Sequence, residues 1–186
     1  GSSIKEIDKA LSTASKRGTG KVGFPEYIGV IKDFLIVIEN KADINKHIIR
    51  DENDLIKDDI KSITEYAVNG ALFYGLHLSK NTSYKKIIAL GISGNEKNHN
   101  ISPIFVDERG GYRELKELET FVSFREDNIT EYYEREILEC KSNEELKTEE
   151  VLKIARDLHE DLRNYGNLED KNKPLIVSGI LLALSE

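Results

Sequence analysis

The chain has 186 residues, of which 39% are hydrophobic and 33% charged, and it carries a net charge of −7. That length supports one domain with a sizeable core plus an appendage, and the composition is too apolar for wholesale disorder. No apolar run reaches the ~18 residues a membrane helix needs, and the acidic balance argues against holding nucleic acid by bulk attraction alone.

Along the chain, residues 4–17 place Ile4, Ile7, Ala10, Leu11 and Ala14 at helical spacing, which predicts an amphipathic helix broken by Gly18, Gly20 and Gly23. Phe24–Val30 is aromatic and β-branched. After Lys32-Asp33 come five apolar residues, Phe34-Leu35-Ile36-Val37-Ile38. This is the pattern of a β-hairpin whose second strand is buried on both faces. Residues 43–58 are polar and predict a loop. A helix is expected over 59–79, with Ile60, Ile63, Ala67, Ala71, Tyr74 and Leu78 along one stripe. Residues 85–92 predict a strand ending in the turn Ser93-Gly94-Asn95, and residues 101–106 its partner, with Pro103 marking an edge or a strand start. From about 113 the pattern turns helical. Residues 144–165 predict a charged helix, and 174–185 a short apolar one opening at Pro174.

The order helix, hairpin, helix, hairpin, helices implies one α/β sheet with helices packed on it and a helical tail. The charge is divided unevenly along that plan. Residues 131–170 hold thirteen Asp/Glu against six Lys/Arg, while the rest of the chain balances at 21 of each sign. The main body is therefore neutral. The single cysteine, Cys140, excludes an internal disulfide framework and points to a cytoplasmic setting. The chain has no methionine and begins Gly1-Ser2-Ser3, so it is expected to be a piece of a longer protein.

The chemistry concentrates at one end of the first hairpin. Glu39 and Lys41 stand two apart at the end of the apolar strand, so both project from one face. Glu26 opens the preceding strand, and the hairpin folds it back beside them. Mg²⁺ prefers oxygen ligands and is commonly held by one or two carboxylates, with waters and substrate phosphate completing its shell. Glu26 and Glu39 can supply those carboxylates, helped by the backbone carbonyl of Asn40. Lys41 can orient or activate an attacking water and stabilise charge building on a phosphoryl group. A surface ion pair at a strand end is the plainer reading of Glu39 and Lys41.

These residues resemble the PD-(D/E)xK nuclease superfamily, whose signature is Pro-acidic, a short hairpin, then Asp/Glu-x-Lys. It stands here as Pro25-Glu26, twelve intervening residues, and Glu39-Asn40-Lys41, with Glu26 where aspartate is more usual. The stretch from Gly18 to Lys46 and the helix expected at 59–79 look most like the N-terminal nuclease domain of restriction-modification enzymes. In those of type IIG and related type I-like systems, a nuclease is fused to an adenine-N6 methyltransferase. The tail, Leu158-His159-Glu160-Asp161-Leu162-Arg163-Asn164-Tyr165-Gly166 and Lys173–Leu184, looks like the entry to the helical region preceding such a methyltransferase.

The resemblance implies a restriction-endonuclease-like central mixed sheet flanked by helices, with a C-terminal helical extension. Residues 1–125 would form the nuclease domain and 126–186 a helical linker toward a methyltransferase region. The implied activity is hydrolysis of double-stranded DNA with Mg²⁺, for which Mn²⁺ can substitute, and target recognition would lie in further regions of the same longer protein.

Other residues carry weaker signals. Glu6 on the first helix is either an additional metal-site acid or part of a solvated helix face. Lys16, Arg17 and Lys21 either touch DNA phosphates or form a solvated basic cluster. Lys61, Glu65 and Asn69, at i, i+4 and i+8, either reach the site or form an exposed stripe. Asp33 falls in the hairpin turn, away from Glu39. Gly18-Thr19-Gly20-Lys21 lacks the full phosphate-loop pattern, and the four histidines have no zinc spacing. The rival enzyme is a repair or mobile-element nuclease with the same site. The rival from another class is a catalytically inactive nuclease-like scaffold that docks DNA or a methyltransferase.

Overall fold

Alternation of apolar residues, with a turn at Lys32-Asp33, folds Tyr27–Ile31 (β1) and Phe34–Lys41 (β2) into an antiparallel hairpin in which Lys32 takes a φ of 53°. The computed structural model describes residues 5–14, 23–139, 148, 151–157 and 160. By its contacts the chain divides into two units, Gly1–Leu138 and Glu139–Glu186.

In the first unit the elements run in order as α1 (Lys5–Leu11), β1, β2, a 3-10 turn at Ile44–Lys46, α2 (Ile60–Glu65), α3 (Ala67–Asn81), β3 (Lys86–Asn95), β4 (Asn98–Val106) and β5 (Tyr112–Glu114). A 3-10 turn at Val122–Phe124, α4 (Ile129–Tyr132) and a π turn at Tyr133–Ile137 follow. The strands lie in the order β1-β2-β3-β4-β5; β2 and β3 are parallel and every other pair is antiparallel. The parallel pair is joined through α2 and α3, the crossover such a pairing requires. The result is an α/β restriction-endonuclease-like arrangement, a mixed sheet flanked by helices.

Both sheet faces are covered. Leu35 and Val37 of β2 face α1 and α3 together with Ile87, Ala89, Ile104 and Val106, packing on Ile7, Leu11, Ala71, Tyr74 and Leu78. Phe34, Ile36, Ile88 and Leu90 fill the other face, under Phe124, Ile129 and Tyr132. The strand expected to be buried on both sides is so. Residues 126–138, expected in the linker, close this second core through Ile129, Tyr132 and Tyr133.

Several expected elements differ. Helix α1 stops at Leu11, where the Ser12 and Thr13 hydroxyls turn back to the carbonyls of Lys9 and Ala10, and the His77 ring also reaches Ala10. The helix expected over 59–79 breaks at Tyr66, which is extended at φ −112° and ψ 138°. The Val68 N–H leaves the helix pattern for the carbonyl of His47, and Ile60 is exposed while the rest of the stripe is buried.

Ser93-Gly94-Asn95 is strand, not turn; β3 continues through it and reverses at Glu96-Lys97. Pro103 lies inside β4 opposite Leu90. Its carbonyl accepts from the Leu115 N–H on the β5 side, and a strand residue directs N and O to the same side. Its missing donor therefore faces the short β5, and the β3–β4 ladder loses nothing. The region from 113 is not helical until Ile129; it forms β5 and then turns, because Tyr112–Glu114 completes the edge of β4.

In the second unit, residues 148, 151–157 and 160 have helical backbone, within the helix expected over 144–165. The apolar helix expected at 174–185 lies outside the described residues, as does most of the methyltransferase-like tail.

Candidate functional site

Strand alternation carries the row Leu35, Val37 onward to Glu39 and Lys41, so both polar side chains point to the face covered by α3. The apolar row ends there because β2 passes the first turn of α3. Glu39 is only 3% exposed, an unusual position for a carboxylate. Its Oε1 lies 3.4 Å from Lys41 Nζ, and the lysine side chain is 22% exposed. The pair thus has one buried and one solvent-reaching end.

Glu26 precedes β1, whose Tyr27 pairs with Ile38. Continuing that register by one residue sets Glu26 opposite Glu39. Glu26 is exposed. Both carboxylates also act electrostatically on the buried hydroxyl of Tyr74 on α3. That hydroxyl titrates well above the ordinary tyrosine range, first because it is buried and then because Glu39 and Glu26 oppose its ionisation. Glu26, Glu39 and Lys41 therefore lie at one end of the sheet, with Tyr74 within electrostatic reach of both carboxylates.

Gly91 makes this approach possible. It is the β3 residue paired with Glu39, and a Cβ there would lie 2.5 Å from Val68 Cα and 2.6 Å from Val68 N. Only glycine lets the start of α3 settle onto the sheet beside Glu39.

A second polar group adjoins the cluster. Ser93, the β3 partner of Lys41, is buried and lies 2.9 Å from His47 Nδ1, and its hydroxyl also donates to the Ile44 carbonyl at 3.3 Å. His47 Nε2 is 2.7 Å from the hydroxyl of Ser102, which reaches Glu117 at 3.4 Å. Burial holds the His47 ring below the usual histidine range, against the opposing charge of Glu117. With its carbonyl on Val68 N–H, His47 ties the segment after Lys41 to β3, β4 and α3.

The remaining expected residues sit elsewhere. Glu6 accepts from the Ser83 N–H at 2.5 Å and from its hydroxyl at 3.1 Å, just before β3 starts and at the sheet end opposite Lys41. The Asn40 side chain is exposed on the face opposite Glu39. Asn69 is buried and holds the loop through Ile49 and Lys57, while Glu65 pairs with Lys46 at 2.6 Å. That stripe fastens the 44–57 segment. Asp33 pairs with Lys86 at the hairpin turn, and Lys86 holds its carboxyl below the ordinary range. Lys16, Arg17 and Lys21 lie outside the described residues.

Tyr74 and His47 were not legible as site residues. Tyr74 falls on the helical stripe and was expected only as core. His47 had no motif spacing. The one usable signal was the polar gap left by Ser93 in an otherwise apolar strand.

The fold, a mixed sheet flanked by helices with two acids and a lysine at the end of its first hairpin, defines a restriction-endonuclease-like α/β protein. Over its whole length, across 188 aligned positions, the chain is 41% identical to the type II restriction enzyme and methyltransferase RM.BcgI of Heyndrickxia coagulans. It spans 29% of that protein's length. No protein-family profile matches the chain, and no solved structure matches it. Among the described residues no helix is long and apolar enough to cross a membrane.

Proposed function

We propose that this chain is the metal-dependent DNA endonuclease domain of a restriction-modification enzyme, with a PD-(D/E)xK-type site. The observation that carries the reading is the buried Glu39 carboxylate, paired with Lys41 and set opposite Glu26 at the end of a strand that is otherwise core. Identity along the whole chain to a restriction enzyme and methyltransferase supports it.

The donor set fits a hard divalent cation. Glu39 offers carboxylate oxygens from β2, and Glu26 from the residue just before β1. That matches Mg²⁺, which takes few protein ligands and keeps waters and substrate oxygens, rather than zinc. Glu26, Glu39 and the Asn40 backbone carbonyl would hold Mg²⁺, or Mn²⁺ in its place. When bound, such an ion supplies Lewis acidity toward a phosphoryl oxygen and lowers the pKa of a coordinated water.

The chain's own groups do the positioning. Lys41 reaches solvent from a buried anchor, so its ammonium can meet a phosphate oxygen and hold an attacking water in line. Glu39 fixes the lysine's direction through the 3.4 Å pair. Burial of Glu39 excludes bulk water from that side and strengthens the electrostatics there. Tyr74, buried and opposed by the charge of both acids, stays un-ionised as a neutral hydroxyl. The water oxygen then bonds to phosphorus as the bond to the leaving sugar oxygen breaks.

The substrate is double-stranded DNA. The methyltransferase and target-recognition functions belong to further parts of a longer protein, and the setting is cytoplasmic. Plasmid nicking with Mg²⁺ or Mn²⁺ tests this. Cutting should require metal and disappear in Lys41→Ala and in Glu39→Ala. Cutting that survives both substitutions, or calorimetry showing no metal binding dependent on Glu26 and Glu39, would sink the reading.

A further inference from the structure

The β3–β4 hairpin outruns the rest of the sheet at the end where the carboxylate–lysine cluster sits. Strand β2 stops at Lys41, opposite Ser93, whereas β3 continues through Gly94 and Asn95 and returns through Asn98 and His99. The result is a two-stranded ribbon with its turn at Glu96-Lys97, and residues 95–99 are exposed.

Register and alternation fix what each face shows. Lys41, Ser93 and Asn100 form one row across the sheet, so Asn100 and Asn98 share the face of Glu39 and Lys41. Asn95 is already engaged, its side chain accepting from the N–H groups of Lys97 and Asn98 at 3.0 and 3.1 Å. On the other face the His99 ring spans the carbonyls of Asn95 and Glu119 at 3.2 Å each, pinning the ribbon to the 115–119 segment. Gly94, at φ +103°, lies where a Cβ would collide with the Asn98 carbonyl oxygen. The ribbon is thus braced, while the side-chain amides of Asn98 and Asn100 and the ammonium of Lys97 make no hydrogen bond or ion pair among the described residues.

We propose that this ribbon seats a DNA duplex over the cluster, with Lys97 on a phosphate and Asn98 and Asn100 donating hydrogen bonds to phosphate or sugar oxygens. A two-stranded ribbon fits a DNA groove, and lysine and asparagine are regular donors to the backbone. Glu96 offsets Lys97 in net charge, so the grip comes through directed hydrogen bonds and one phosphate contact. Such contacts set position and carry no sequence information, in keeping with a target reader elsewhere. The proposal rests on the nuclease reading for its partner.

Fluorescence anisotropy of the full chain with a labelled mixed-sequence duplex, in EDTA, tests it. The combined variant Lys97→Ala, Asn98→Ala, Asn100→Ala should bind about tenfold or more weakly, from three lost hydrogen-bonding groups. The loss should be equal on unrelated duplex sequences. Lys97→Ala alone should reduce the slope of log K against log salt by about 0.9. Unchanged melting by circular dichroism shows that the fold is intact.

Unchanged affinity and slope in a folded variant overturn the proposal, as does absence of duplex binding by the unsubstituted chain. The two readings fail separately. Nicking that depends on Lys41, with ribbon variants binding normally, removes the ribbon and keeps the nuclease. Ribbon-dependent binding without metal-dependent nicking does the reverse.

Discussion

Gly91→Ala is the substitution whose consequence follows most directly from the packing around the cluster. A Cβ at residue 91 would stand 2.5 Å from Val68 Cα, 2.6 Å from Val68 N and 2.5 Å from Val68 Cγ2. Ordinary carbon contacts begin near 3.4 Å, so the first turn of α3 must retreat by about 1 Å. Two of the three atoms are backbone and have no rotamer to escape into. Overpacking of a core costs about 1–3 kcal/mol, and a backbone obstacle belongs at the upper end. At about 2–4 °C per kcal/mol for a chain of this size, the melting temperature should fall by about 6–12 °C. The retreat also loosens α3 beside Glu39, the β2 partner of Gly91, so metal-dependent nicking should fall below the loss of folded protein. Thermal unfolding followed at 222 nm reads the first effect. Gly75→Ala is the milder comparison: its Cβ would meet Val106 Cγ2 at 3.1 Å and Ala89 Cβ at 3.2 Å, so the neighbours need to give by only a few tenths of an ångström. There the crowding opposes a helix-propensity gain of about 1 kcal/mol, so its melting should shift little. If Gly91→Ala melts within about 2 °C of the parent, α3 is not seated on β3 as described.

Three further outcomes are expected. Tyr132 is buried with a hydroxyl that has no hydrogen-bond partner among the described residues, and burial lifts its pKa to about 12; Tyr132→Phe should leave the urea midpoint unchanged or raise it, and a clear fall would reveal a partner for that hydroxyl. His47 is held below its ordinary value of 6.5 in the folded chain, so the unfolded chain binds its proton first. Its contribution is complete above pH 6.5 and is lost as pH falls toward the folded value; the urea midpoint should drop between pH 7 and 5, and His47→Gln should flatten that drop. Asp59 caps α2 by accepting from the N–H groups of Lys61 and Ser62 at 3.1 Å each; Asp59→Ala should cost about 1 kcal/mol in denaturant unfolding, and no loss would mean α2 adds nothing to the cooperative unit.

The first hairpin was legible because its causes are local. Five apolar residues between Lys32-Asp33 and Glu39 specify a strand buried on both sides, and a two-residue turn fixes the register that brings Glu26 opposite Glu39. Spacing by two places Glu39 and Lys41 on one face whatever surrounds them. Much of the core was legible for the same reason, as in Ile63, Ala67, Ala71, Tyr74 and Leu78. Periodicity alone said nothing about the break at Tyr66, because the apolar stripe runs on through it. It was misleading at Ser93-Gly94-Asn95, where turn-forming residues serve a strand that the β4 ladder extends.

By itself, then, the sequence determined the strand that carries the acid and the lysine, the hairpin that returns the second acid, and the alternation that gives β2 two buried faces. Those properties depend on neighbours within a few residues. The tertiary structure alone decided that Tyr74 is buried within electrostatic reach of both carboxylates, that His47 bridges Ser93 and Ser102, and that Glu6 is held by Ser83 at the far end of the sheet. Each of these requires segments distant in the chain to meet, which no local preference specifies.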